Sequence, residues 1–159
     1  MNPSTTRLRS LRRGRAIHLL DIENLTCTPL PTTGAVKEVM ATYRSLVPIG
    51  PMDQFVVAVN HNALVAVGIA LRGAQLLARS GHNGADEALT EAARADRIDL
   101  RFERVVIGSG DGYFADLAAW LVGHGLHVTV VSQPGHLSRH LQATVPDIVH
   151  LRSSAQQAA

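Results

Sequence analysis

The chain is predicted to be an α/β protein of three layers, a mostly parallel central sheet with helices on both faces. Three observations lead there. Short apolar runs alternate with longer amphipathic segments along most of the sequence. The runs are continuously apolar rather than strictly alternating, as strands buried on both faces are. The connections between them are short, which suits repeated βα units with right-handed crossovers. With 159 residues and 46% hydrophobic content, there is material for one domain around one sizeable core.

The elements follow in order. A first strand is predicted at 16–20 ("AIHLL"), then the long proline-marked connection "TCTPLPTTG" and a helix over 34–46. Pro48 and Pro51 mark the next loop, before a strand at 54–59 ("QFVVAV"). The segment 62–72 is read as a helix, although so short an apolar run suits either element. A strand at 74–79 leads through "SGHNGADEAL" into a helix over 85–96. A strand at 104–108 ("RVVIG") ends in a glycine turn and a helix over 113–123, whose Phe114, Leu117, Ala118 and Leu121 recur at helical spacing. Gly125 suits the left-handed residue that closes that helix. A strand at 127–132, a helix over 136–144 and a strand at 147–151 complete the domain, set at 15–152. Residues 153–159 are expected to be a disordered tail.

Aromatic residues make up only 4%, so Val, Leu, Ile and Ala must build the core. The longest apolar run, "ALVAVGIAL" at 63–71, is far too short to cross a bilayer. The basic N-terminus lacks a signal-peptide core and a small-residue cleavage site. One cysteine, Cys27, cannot form an internal disulfide, which favours a reducing, cytoplasmic setting and excludes a multi-cysteine zinc site. The overall charge of +2 is uneven. Arg7, Arg9, Arg12, Arg13 and Arg15 crowd the start with no acid among them, leaving ten bases against thirteen acids in the rest. Residues 1–14 are expected to be a mobile basic arm, serving either to hold nucleic-acid phosphates or simply to solubilise.

In open parallel sheets, sites form beyond the carboxyl ends of the strands, where strand order reverses. After the first strand stand Asp21, Glu23 and Asn24; Asp86 opens the helix after the third; Asp111 sits in the turn after the fourth. Each aspartate alone has an ordinary explanation as a helix cap. Together they pose a problem, because two carboxylates ~5 Å apart repel by about 3 kcal/mol at an effective dielectric near 20. Three need a counter-ion, protonation or wide separation. Magnesium or manganese suits an all-oxygen cluster better than zinc. The turn "GSGDG" fits neither a dinucleotide fingerprint, since Tyr113 occupies the place of its last glycine, nor a phosphate-binding loop, since it lacks Gly-Lys-Ser/Thr. A carboxylate in a bare phosphate cradle would repel the ligand; bridged by a metal, it would attract it. The glycines are expected to give the chain a sharp turn that faces the acid outward.

With "HLLDIENL" (18–25), "SGHNGADEAL" (80–89), "VVIGSGDGYFADLAAWL" (105–121) and "GLHVTVVSQPGHLSRHL" (125–141) in this order, the chain resembles the NYN domain, a branch of the PIN-like metal-dependent nucleases. With their connections these pieces span roughly 16–151. The resemblance implies a Rossmann-like, PIN-like sheet, a pocket for Mg²⁺ or Mn²⁺, and RNA, single-stranded in the first instance, as substrate. It implies that Asp21, Asp86 and Asp111 are the catalytic, metal-coordinating acids, with Asn24 and Ser109 as flanking residues that meet the substrate. Hydrolysis would leave a 5′-phosphate and a 3′-hydroxyl. One departure stands out: many relatives have a second acid where this chain has Tyr113, and Asp116 lies three residues further along the helix.

Other residues compete for attention. His136 and His140, four apart in the last helix, lack a third ligand nearby. His82 precedes Asp86 and could reach the pocket. Tyr113 could stack on a base, whereas Trp120 is better read as packing at the core margin. Glu23 should project away from Asp21 on an extended chain. Cys27 has no base beside it. The expected function is a metal-dependent ribonuclease. The rivals are a non-catalytic RNA-binding module and a metal-dependent phosphatase or nucleotide-binding protein on the same rim. No membrane partner is expected, and monomer and homodimer are both left open.

Overall fold

The computed structural model describes residues 12–152. The tail at 153–159 and most of the basic arm lie outside the described residues. Thirteen regular elements follow one another. They are β1 (Ala16–Asp21), α1 (Ile22–Thr26), α2 (Thr33–Leu46), β2 (Gln54–Val59), α3 (Leu64–Ala70), β3 (Gln75–Ala78), α4 (Gly84–Ala95), α5 (Ile98–Arg101), β4 (Arg104–Gly108), α6 (Ala115–Gly123), β5 (His127–Ser132), α7 (Arg139–Thr144) and β6 (Asp147–His150).

The six strands form one sheet in the order β3-β2-β1-β4-β5-β6, and every pairing is parallel. Helices cover both faces, so the fold is a three-layer, Rossmann-like α/β structure. Strand order reverses between β1 and β4: β1 leads outward to β2 on one side, and β4 leads outward to β5 on the other.

Strand periodicity decides which side chain meets which layer. Ile17 and Leu19 of β1, with Val105 and Ile107 of β4, join one core with Leu89 and Ala93 of α4 and Leu117 and Leu121 of α6. Leu20, Val57 and Val106 point the other way, onto Val36, Met40 and Tyr43 of α2 and Val67 of α3. Asp21 continues the row of Ile17 and Leu19, and Ser109 that of Val105 and Ile107. Both are thereby aimed at the α4 side. Helix α4 buries Asp86, Leu89 and Ala93, one stripe at helical spacing, so Asp86 faces the sheet although it is charged.

The second core contains a buried polar group on β1. His18, fully buried, meets the Tyr43 hydroxyl at 2.6 Å through Nδ1 and the Asp53 carboxylate at 3.1 Å through Nε2. Its ring stacks on Phe55 at 4.3 Å between centroids. Burial lowers the His18 pKa against the opposing pull of Asp53. Burial pushes Asp53 up, but N–H donors from Gly50 and Ala16 and the His18 contact outweigh it, and its pKa lies below the ordinary value. Neutral His18 with a proton on Nε2 satisfies both partners.

All six expected strands form, within a residue at their ends. Two short helices escape the sequence reading. Helix α1 starts directly at the end of β1, because the Asp21 carboxylate accepts from the Asn24 N–H at 3.2 Å and caps it. Helix α5 fills the connection before β4. The expected helix over 62–72 begins as a single 3₁₀ turn, His61–Ala63, before α3. The last helix starts at Arg139, so His136 lies outside it and the expected helical spacing of His136 and His140 does not exist. Gly125 does take a left-handed φ, +80°. The described part of the basic segment lies against the body: Arg12 donates to the Phe102 carbonyl and the Gly14 N–H to the Glu103 carboxylate. No helix of the described residues is long and apolar enough to cross a membrane.

Candidate functional site

The site is built from the ends of β1 and β4, where strand order reverses, and from the first turn of α4. Asp21 is the last residue of β1 and stays buried, 6% exposed. Asp86 is the third residue of α4, in a turn that opens at Asn83, and is 4% exposed. The two carboxyl groups are close enough to act on each other: proton sharing lowers the Asp21 pKa and raises that of Asp86. Protonation of one of them, or a cation, relieves the repulsion between the two. Burial drives both pKa values upward, Asp21 to about 6 and Asp86 to about 7, with the Asp21 and Asp111 charges adding to the effect on Asp86. Asp86 Oδ1 is buried with no hydrogen-bond partner.

Around this pair the turn after β4 is held by a closed set of hydrogen bonds. The Asn24 carboxamide oxygen accepts from the Gly110 N–H at 3.1 Å, joining α1 to the turn. Ser109, fully buried, faces Asp21 Oδ2 at 3.5 Å and accepts from the Asp111 N–H at 3.2 Å. Thus Asn24 and Ser109 shape the site from below.

The three predicted acids do not form one equivalent cluster. Asp111 is exposed, and its carboxylate caps the following 3₁₀ turn by accepting from the Tyr113 N–H at 2.9 Å. It acts on Asp21 and Asp86 through charge alone. No three His, Cys, Asp or Glu side chains are grouped tightly enough to hold a metal ion among the described residues. In place of the expected three-carboxylate shell there is a buried pair with an exposed, charged neighbour, one oxygen of which caps the following turn. A buried pair with an unused oxygen still fits a hard cation of the magnesium kind, which keeps several waters and takes one or two carboxylates.

The acid of "GSGDG" does face outward, Asp111 being exposed, although none of the glycines has a positive φ. They serve close approach. A Cβ on Gly110 would lie 2.1 Å from the His136 carbonyl oxygen and 2.5 Å from Ser132 Oγ. One on Gly112 would lie 2.8 Å from Ser138 Oγ. The loop after β5 therefore clamps the turn, with the Ser138 N–H donating to the Gly110 carbonyl at 2.8 Å. Gln133 adds a bond from Nε2 to the Leu25 carbonyl at 2.6 Å. These loop residues were not singled out in the sequence, although the rule that sites follow strand ends applies equally to β5.

Glu23 lies in a helix rather than an extended chain: its carboxylate accepts from the Asn60 N–H at 2.9 Å, beyond the end of β2, and its charge still raises the Asp21 pKa. Asp116 is exposed in the first turn of α6. Tyr113 is 40% exposed, which leaves its ring face accessible beside the turn. Trp120 packs at the margin of the core under the Arg94 guanidinium, 4.8 Å from the ring centroid. Cys27 is exposed at the end of α1, in a left-handed conformation with φ +56°.

No family model matches the chain, and no curated protein matches it. Among solved structures, a crystal structure of a protein of unknown function from Vibrio parahaemolyticus, VPA0982, has a similar fold. It is 18% identical, with a TM-score of 0.62, and the alignment covers 87% of this chain and 93% of that one. At that identity the likeness speaks to the fold alone.

Proposed function

We propose that the protein is a metal-dependent ribonuclease that hydrolyses phosphodiester bonds of single-stranded RNA, with Asp21 and Asp86 holding Mg²⁺ or Mn²⁺ at the switch point of the sheet. The observation that carries the reading is the Asp21–Asp86 pair: two buried carboxyls with raised pKa values, one oxygen of them unpartnered, where a parallel sheet places its sites. Two acids buried together without a cationic side chain destabilise the fold unless something neutralises them. The resemblance of "HLLDIENL", "GADEAL" and "GSGDG" to the NYN pattern supplies the substrate class.

Each residue has a distinct task. Asp21 and Asp86 would hold the ion, and Asp111, exposed at the mouth, would add negative charge that favours its approach. The ion, when bound, would supply electrostatic stabilisation of charge developing on the phosphoryl group. Asn24 holds the Gly110 N–H and thereby fixes the turn that borders the pair. Ser109 sets the Asp111 backbone through its hydroxyl. Tyr113 offers an exposed ring for a neighbouring base.

One feature favours a second reading, an RNA-binding module without catalysis. Asp111 is engaged in capping and Tyr113 stands where many NYN relatives have an acid, which leaves two buried ligands rather than four. Incubation of labelled single-stranded RNA with Mn²⁺ separates the two. The nuclease reading expects cleavage that chelation stops and that D21N and D86N abolish with folding intact. RNA binding without cleavage at any Mn²⁺ concentration would replace it with the second reading.

A further inference from the structure

The sheet ends on β3 at one edge and on β6 at the other. An edge strand presents unpaired N–H and C=O groups, and proteins blunt such edges with charge, proline or a covering element. Strand β6, "DIVH", has an acid at one end and an exposed histidine at the other. Strand β3, "QLLA", has neither charge nor proline. Just after it, the Arg79 N–H donates to the Val59 carbonyl. By the alternation of the ladder, Gln75 and Leu77 also bond to β2, and the N–H and C=O groups of Leu76 and Ala78 point outward. No strand of the described residues pairs with them.

The flanks of β3 are apolar as well. Leu76 and Leu77 lean onto opposite cores, and both are only half-buried. On the Leu77 side a groove of about 380 Å³ runs between β3 and α4, walled by Ala88, Ala92 and Ala95. Short alanine side chains leave room there for a large apolar group from outside. The two ends of this edge differ in charge. At the carboxyl end Arg79 is outnumbered by Glu87 and Glu91, at 3.8 and 2.7 Å. At the amino end stands Arg72, exposed and without an acidic partner among the described residues. A surface that is apolar in the middle and opposite in charge at its ends complements itself when turned about a twofold axis.

We propose that a second copy of the chain occupies this edge, β3 pairing antiparallel with β3 across a twofold axis to form a homodimer with one continuous sheet. Leu76 exchanges both hydrogen bonds with Ala78 of the second copy, and Ala78 with its Leu76. The two Leu77 side chains meet on the axis, their Cα atoms ~4.5 Å apart, between the alanines of the two α4 helices. This register uses both outward residues of the strand. Sliding the pair toward the amino end would need the Ala74 N–H, which already donates to the Leu71 carbonyl at 3.3 Å. Sliding it the other way would pair Leu76 with Ser80, beyond the strand. Parallel pairing would bring like-charged ends together. The dimer does not depend on the reading of the acidic pair.

Sedimentation velocity of the full chain at micromolar concentration should show a dimer. A78P removes the outward N–H, puts a ring in the path of the second copy and leaves the bonds to β2 intact. Folded by circular dichroism, it should associate at least about thirtyfold more weakly, for two hydrogen bonds lost across the axis. A second test does not require that variant to fold. In a C27S background, which removes the single cysteine, L77C should oxidise to a covalent dimer, because the pair on the axis has disulfide spacing. V65C, at a position 74% exposed on α3, should stay reduced under the same conditions. A monomeric parent overturns the pairing. So does a dimer that folded A78P leaves intact, or one in which L77C and V65C cross-link at the same rate.

Discussion

Replacing Asp86 with Asn should stabilise the ion-free protein at alkaline pH, the opposite of what removing a buried polar partner usually does. The Asp86 pKa is raised to about 7 in the folded chain, from an ordinary value of 3.8. A carboxyl whose folded pKa is raised contributes its stability below the unfolded pKa and loses it as pH rises through the folded one. Between pH 4 and pH 8 the loss is roughly 3 pKa units, about 4 kcal/mol at 1.36 kcal/mol per unit. Asn keeps the shape, removes the titration and can donate an N–H to Asp21. Since Asp21 shares the proton with Asp86, about half of that figure, ~2 kcal/mol, should appear as a gain at pH 8, or roughly 4–8 °C in melting temperature. At pH 4, where the parent's pair is protonated, the gain should be within ~0.5 kcal/mol of zero. Thermal melts in chelator at the two pH values measure both. Adding Mn²⁺ at pH 8 should raise the parent's melting temperature and leave D86N where it is. A variant that melts below the parent at pH 8, or is offset equally at both pH values, refutes the reasoning that the pair is held together at a cost only a proton or a cation removes.

Three further perturbations probe other parts of the structure. G110A places a methyl against the His136 carbonyl and Ser132 Oγ, and should cost about 1–3 kcal/mol by chemical denaturation while reducing any metal-dependent activity. Y43F leaves His18 Nδ1 buried without its hydroxyl partner and should cost about 1–3 kcal/mol, measured the same way. D111N removes an exposed charge but keeps a capping oxygen, so stability should change by less than ~0.5 kcal/mol while Mn²⁺ affinity in calorimetry falls severalfold. In the D21N/D86N double variant, in which neither raised carboxyl titrates, His18 should become visible as an acid limb. Its lowered pKa means the unfolded chain takes up protons first, so stability should fall as pH drops below about 6.5.

The sheet was legible because its strands are short, mostly apolar runs of the length a doubly covered strand needs, and a run such as "RVVIG" admits little else. The placement of Asp21 and Asp86 followed from one topological rule, that strand ends at an order reversal share a rim. The exposure of Asp111 did not follow, because an aspartate ahead of a helical turn can cap it from a buried position, as Asp21 does, or from an exposed one, as Asp111 does. Helix α1 was hidden for a similar reason: Asp21 belongs to a strand and to a cap at once, so "DIENL" read as a loop. The closeness of Gly110 to a loop 26 residues further on, at His136, has no local signal in the sequence.

A crystal soaked in MnCl₂ and measured at the manganese absorption edge tests the central claim most directly. An anomalous peak in contact with carboxylate oxygens of both Asp21 and Asp86 is the predicted result. Saturating manganese that leaves the pair bare, or that binds only at other surface acids, would contradict it.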